Sequence, residues 1–503
     1  MNDIHGVYVW TGKELVRPYL LKNRPLHRDC FPVLWKHMNG KPAGRILALS
    51  GLRVTGKTTL MLQAVARLPA AELERTVFIP HCTRQQSLLD VLAWCRDNGI
   101  ARVIVDAITD MEDFTGVAPL LPYARDMIIT IAGADTLYFR LETEPNLDVL
   151  DMIHVPAREY MRLQNATLQQ CVQLGGMLRK PEAWPESSSS ETRDAYWTRC
   201  CVSHPVRRSL VRLARMREWA AMEDPVLFQT GRLERVLQDV SWQAVLETAR
   251  RCLRGRDLSQ IARLSVETRA TSGGTARTAL RLLEQAGVLA RIREETPERR
   301  NGRRWLPVQP GLRHLQAGSF AQVIEHWFGD SRENLLRNDE MQCFLRMLDE
   351  DLMLDVILLD TLRAAPGTVR VRSLLLPDGQ RAMLIPDMRR RRCAVFVTAD
   401  DASSPRQARP LRDRGVIAGL TRRFGAVVRR TVLCRGNAPE ENGITWQDAR
   451  EFLSLLDDPA ALDWMCNFTL PDAPAAPVNR GMRRWEMPRF AKLPPPTPQT
   501  FTR

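Results

Sequence analysis

The chain has 503 residues and a mass of 57.3 kDa, too long for one hydrophobic core, and at about 150 residues per domain it divides into roughly three. Hydrophobic residues at 44% and charged residues at 26% are the proportions of an ordinary folded protein, which excludes collagen-like, mucin-like and wholly disordered chains. Against 58 acids stand 72 lysines and arginines, a formal charge of +14 that suits a polyanion such as nucleic acid, although only seven of the basic residues are lysine and a coding bias towards arginine is an equal reading.

The start, Met1-Asn2-Asp3-Ile4-His5, has neither the basic head nor the apolar stretch of a secretory signal, and no apolar run is long enough for a bilayer. A cytoplasmic protein without a membrane segment is expected. The eleven cysteines form no C-x-x-C pair and read as small buried residues; Cys200, Cys201 and His204 fit no zinc spacing.

Residues 1–44 read as a lead-in. Arg45 to Ser50 is then a short apolar strand, followed by a glycine loop and by helical spacing of Leu60, Leu62, Val65 and Leu68. Thr76–Pro80, Arg102–Val105 and Met127–Ile131 are three further buried strands, and strand alternating with helix predicts an α/β sheet. From about 160 to 250 the pattern is helical, interrupted by the polar run Pro185–Glu191, which reads as a linker. A compact unit at 257–310 and a mixed α/β segment at 320–456 follow. The proline-rich end, with Pro494, Pro495 and Pro496, reads as a disordered tail.

The loop Gly51-Leu52-Arg53-Val54-Thr55-Gly56-Lys57-Thr58 matches G-x-x-x-x-G-K-[ST], between an apolar strand and an amphipathic helix as phosphate binding requires. Backbone N–H groups would cradle the phosphates of ATP, Lys57 would reach the β and γ phosphates, and Thr58 would offer its hydroxyl to Mg2+. Gly51, Thr55, Gly56, Lys57, Thr58 and Thr59 are therefore the nucleotide-binding candidates. Asp106, at the end of the Val103-Ile104-Val105 strand, is the candidate for the magnesium shell. The next residue is Ala107, with Asp110, Glu112 and Asp113 close by as an alternative source of a carboxylate. Asp135 and Thr136 follow another strand, either as a γ-phosphate sensor or as a turn cap.

These strings, with Asp106 to Phe114, Gly133 to Leu137, Ile153 to Tyr160, Gln309 to Arg313 and Arg423 to Gly425, resemble a family of prokaryotic P-loop ATPases of the AAA/STAND type. In that family the ATPase is followed by a winged helix and a restriction-endonuclease-like domain. The resemblance implies a P-loop ATPase domain at 1–160, a winged helix at 257–318 and a nuclease-like α/β domain at 319–458, and the residue patterning adds a helical region at 161–256 and a largely disordered proline-rich tail at 459–503. It also implies a sensor role for Asp135, and Arg140 or Arg158 as a charge-stabilising arginine. Members carry Asp-Glu where this chain has Asp106-Ala107, so nucleotide binding is better supported than hydrolysis.

Within the winged-helix region, Leu258–Leu264 and Thr275–Gly287 read as two helices. A hairpin follows, Val288–Ile292 and Arg304–Val308, with the tip at Arg299, Arg300, Asn301, Gly302 and Arg303. Arg277 and Arg281 on the second helix and Arg299, Arg300 and Arg303 on the tip are candidate DNA contacts; a protein-docking or connecting role is the other reading. In the nuclease-like region the resemblance places Asp355 at the first metal acid. It places Ala382, Val397 and Ala399 where further acids and a lysine would stand, so a non-cleaving domain is expected. The expected function is an ATP-binding switch with weak or absent hydrolysis and an unknown protein partner. The alternative is a DNA-binding regulator in which nucleotide is structural.

Overall fold

The computed structural model describes residues 2–12, 14–15, 26–178, 198, 206, 232–252, 273–298, 300–329, 338–365, 370–401, 405–436, 438–441 and 443–456. The expected helix Leu258–Leu264, the polar run Pro185–Glu191, the Cys200–His204 cluster and the 459–503 tail lie outside them. The molecule is mixed α/β, with two large sheets.

The first sheet contains β1 (Asn2–Ile4), β2 (Val7–Thr11), β3 (Ile46–Ser50), β4 (Thr76–Ile79), β5 (Arg102–Val105), β6 (Ile128–Gly133) and β7 (Leu147–Asp151). Their order across it is β1-β2-β4-β5-β6-β3-β7. The five strands from β3 to β7 are parallel to one another. Parallel strands covered on both faces need apolar side chains on both, which is why four of them were legible as continuous apolar runs. Ile46, Ala48, Val77, Val103 and Ile129 point into one core, while Leu47, Leu49, Phe78 and Ile104 point into the other. The supposed lead-in supplies β1 and β2, an antiparallel edge ending on β4.

The second sheet contains β8 (Leu289–Glu295), β9 (Arg300–Pro307), β10 (Arg372–Leu375), β11 (Arg381–Asp387), β12 (Arg392–Asp401), β13 (Ala426–Arg435), β14 (Ala438–Glu441) and β15 (Ile444–Asp448), in the order β14-β15-β13-β12-β11-β10-β8-β9. The predicted wing is therefore the edge of this sheet: β8 runs parallel to β10, with Ser373 opposite Glu294. The strands also extend through the expected tip, Arg303 lying opposite Arg293. The sheet thus crosses the boundary expected at 318/319, because β8 offers an unpaired edge that β10 satisfies.

One face of this sheet packs on the long helices Arg232–Cys252 and Asn338–Ala364, through Met383, Ile385, Ala394 and Phe396. The other packs on the helices Pro405–Arg412 and Arg414–Phe424, through Ala382, Leu384, Val395, Val397 and Ala399. Asp355 lies on the Asn338–Ala364 helix. Strand side chains alternate between faces, so Ala382, Val397 and Ala399 point away from the side that Asp355 occupies.

Candidate functional site

Ligands of open parallel sheets settle beyond the carboxyl ends of the strands, and the Gly51–Thr58 loop lies there, leaving β3 for the Lys57–Val65 helix. The loop turns through two left-handed residues, Val54 at φ 64° and Gly56 at φ 89°. A side chain at Gly56 would also stand 3.0 Å from Leu178 Cδ1. Gly51 is constrained by space: a Cβ there would meet Thr55 Oγ1 at 2.8 Å. Thr55 itself is buried and donates to the Leu52 carbonyl at 2.9 Å.

Lys57 is the first residue of the helix, and its buried ammonium is folded back into the loop. Nζ donates to the carbonyls of Gly51 at 2.7 Å and Leu52 at 2.8 Å. Burial lowers its pKa to about 8, against the opposing pull of Asp106. Thr58 is exposed, and its hydroxyl donates to Asp106 across the intervening strand β6. Burial raises the Asp106 carboxyl above the ordinary range, while Thr58 and Lys57 work against the shift. Thr59, behind it, is half-buried. Ser50, which ends β3, has a buried hydroxyl with no hydrogen-bond partner among the described residues.

Ala107 sits in left-handed backbone, φ 52°, and its N–H donates to Asp106 Oδ1 at 2.9 Å, fixing the carboxylate. Among the nearby acids, Asp110 pairs with Arg53 of the loop at 3.2 Å. Asp113 accepts from the Gln85 N–H at 2.6 Å. Asp135 is buried and caps the helix Thr136–Leu141, accepting from the Tyr138 N–H at 3.0 Å.

Arg140 lies elsewhere: it donates to the Gln285 carbonyl at 2.9 Å, at the end of the Gly273–Gln285 helix, and pairs with Asp151 at 3.0 Å. Arg158 pairs with Asp29. Arg277 and Arg281 are exposed on the Gly273–Gln285 helix, whose buried side carries Ala279, Leu282 and Leu283. Arg303 is exposed on β9; Arg299 and the side chain of Arg300 lie outside the described residues.

The loop rests on residues that sequence reasoning missed. Arg28 is buried and donates to both oxygens of Glu159, at 2.9 and 3.0 Å. The same guanidinium donates to the carbonyls of Thr55 at 2.9 Å, Met152 at 3.3 Å and His154 at 2.7 Å. It thus joins the Gly51–Thr58 loop to the segment after β7. That segment is held in turn by the second sheet's helices. Asp360 accepts from the Ala157 N–H at 2.7 Å and lies 2.7 Å from His154 Nε2, and Gln309 donates to the Ile153 carbonyl at 2.9 Å. Burial pushes the Asp360 carboxyl up to about 7. Glu159 and His154 fall inside the Ile153–Tyr160 string and Gln309 opens the Gln309–Arg313 string, the sequence signals for this contact; Arg28 and Asp360 carry none.

Asp355 has the opposite environment to Asp106. It is buried, with Arg304 donating to its two oxygens at 2.6 and 2.8 Å and Arg313 also against it. Among the described residues no cluster of three or more His, Cys, Asp or Glu is arranged to hold a metal ion, and no helix is long and apolar enough to cross a membrane. No family model matches this sequence, and no curated protein is similar to it.

Proposed function

We propose that the protein is a P-loop ATP-binding switch whose first sheet carries the nucleotide and whose second sheet reads its state. The observation that carries this is the loop itself. Lys57 is folded onto the Gly51 and Leu52 carbonyls, and the exposed Thr58 meets the half-buried Asp106 at the end of β5. The fit to a magnesium nucleotide rests on these donors and on the buried unpartnered hydroxyl of Ser50. Thr58 and Asp106 would hold the ion, which supplies charge neutralisation to the phosphates when bound. Lys57 exchanges two carbonyls for phosphate oxygens, a stronger charge-assisted contact. The loop carbonyl of Thr55 is shared through Arg28 with Glu159 and His154, so movement of the loop bears on Asp360.

Hydrolysis is weak or absent in this reading. Ala107 has no carboxylate to orient water, and Asp110 is engaged by Arg53. The second sheet acts as a binding module without nuclease chemistry, since both oxygens of Asp355 are occupied by guanidinium groups. The decisive experiment is ATP binding by calorimetry together with steady-state phosphate release, with Lys57→Ala as the blank. Magnesium-dependent binding lost in the variant, with release at the level of the blank, is expected. Equal binding by both proteins would end the proposal, and release well above the blank would make the protein an ATPase.

The second reading, a DNA-binding regulator, is favoured by one observation, the exposure of Arg277 and Arg281 one turn apart on a single helix. It predicts that Arg277→Ala with Arg281→Ala abolishes function while Lys57→Ala does not.

A further inference from the structure

From Pro405 to Gly436 the sequence holds nine arginines, no lysine and one acid, Asp413. That acid is used locally: its carboxylate caps the Arg414–Phe424 helix, accepting from the Val416 N–H at 3.0 Å. The helix turns Val416, Leu420 and Phe424 to the sheet. Its other face, at spacings of three and four from Arg414, carries Ile417 and Ala418 and then Thr421 and Arg422, and with Arg412 and Arg430 these line a cavity of about 630 Å³. Arg430 is anchored over it by donating to the Leu411 carbonyl at 3.2 Å. Arg423 and Arg435 are directed elsewhere, to Glu295 and Asp400.

We propose that this cavity binds the phosphodiester backbone of a nucleic acid. Four arginines line one concavity, and no carboxylate of the described residues lines it; Arg414 and Arg422, exposed on the helix, present the planar donor forks that match phosphate oxygens. The shape favours a polymer over a single small anion. Arg414 and Arg422 are eight residues apart on one helix face, about 12 Å along its axis, a distance of roughly three to four nucleotides of one strand. The basic surface also continues beyond the cavity. The Ala426 N–H donates to the Arg391 carbonyl at 2.9 Å, which sets the turn carrying the exposed Arg389, Arg390 and Arg391 against the helix's end. Contacts of this kind position a backbone without reading bases. The inference rests on no part of the nucleotide reading, and neither Arg277 nor Arg281 lines the cavity.

The test is fluorescence anisotropy of the full chain with labelled single- and double-stranded oligonucleotides of mixed sequence, about 20 nucleotides long, between about 50 and 200 mM salt. Binding is expected at the low end. Arg414→Glu with Arg422→Glu is expected to weaken it at least about tenfold and to lower the slope of log K against log salt by about two. Arg414→Gln with Arg422→Gln, which keeps side-chain polarity, must lower the slope as well; this pair, checked for an unchanged thermal midpoint, separates lost contacts from misfolding. Tripolyphosphate added to Lys57→Ala protein distinguishes a free anion from the polymer. The proposal is overturned if neither oligonucleotide binds at low salt, if binding survives both double variants, if it is lost only with Arg277→Ala and Arg281→Ala, or if tripolyphosphate alone occupies the cavity.

Discussion

The two sheets each bring one conspicuous aspartate to a position where an ion would be sought, and they treat it in opposite ways. Asp106 ends β5 beside an exposed threonine hydroxyl, with the Lys57 ammonium nearby but bonded to carbonyls. Asp355, on a buried helix face, has Arg304 on both oxygens and Arg313 against it. A carboxylate whose partner is a hydroxyl retains charge to offer a cation, whereas one saturated by guanidinium groups has become a structural ion pair. Residue type therefore says less about chemistry than the charge of what faces it.

Substitutions at four positions press on this contrast. The largest effect is expected at Asp355→Ala, which leaves Arg304 and Arg313 buried without their carboxylate and should cost about 3–5 kcal/mol in urea denaturation. A loss under about 1 kcal/mol would show that other acids neutralise the two arginines. Next, Lys57→Ala should weaken ATP binding about 100-fold, or ~2.7 kcal/mol, with little change in the denaturation midpoint. Because the free ammonium titrates near 8, ATP affinity of the parent protein should fall as pH rises through that value. A flat profile from pH 7 to about 9 would remove Lys57 from the binding step.

Between the sheets, Asp360→Ala strands the Ala157 N–H and should cost about 2 kcal/mol, while Asp360→Asn, which can keep both contacts, should cost less. The pH dependence carries the sign. A carboxyl raised to about 7 in the folded protein against about 4 unfolded stabilises fully below about 4, and this contribution is lost as pH rises towards 7. Stability measured over that window should slope downwards in the parent and be flatter in Asp360→Asn; identical slopes would exclude Asp360 as the titrating group. The smallest effect is at Ala107→Gly. Relief of the left-handed backbone, ~1–2 kcal/mol, is offset by ~0.4–1 kcal/mol of unfolded-chain entropy, so a gain of about 0.5 kcal/mol is expected in thermal denaturation. A loss instead would mean that the Ala107 side chain contributes packing that outweighs the strain.

What could be read from the sequence is the local part. β3, β4, β5 and β6 were legible because buried parallel strands are apolar on both faces, and the Gly51–Thr58 loop stood out because its glycines and lysine match a fixed spacing. β1 and β2 were not, since an antiparallel edge with an exposed side, Tyr8 being 59% exposed, has no continuous apolar run. The hairpin at 288–308 was found, but its membership of the second sheet was not, because pairing of β8 with β10 depends on residues some 80 positions apart and leaves no periodic trace.

The sequence by itself determined the nucleotide-loop candidates and the density of arginine. Only the tertiary structure decided which charges meet. It set Asp106 beside Thr58, closed Asp355 between arginines, tied the loop through Arg28 to Glu159, 131 residues beyond that arginine, and lined one cavity with four arginines. The reason is that helix and strand periods are written in neighbouring residues, whereas the pairing of buried charges is fixed by which elements pack together, and any arginine of the chain was an equal candidate until they did.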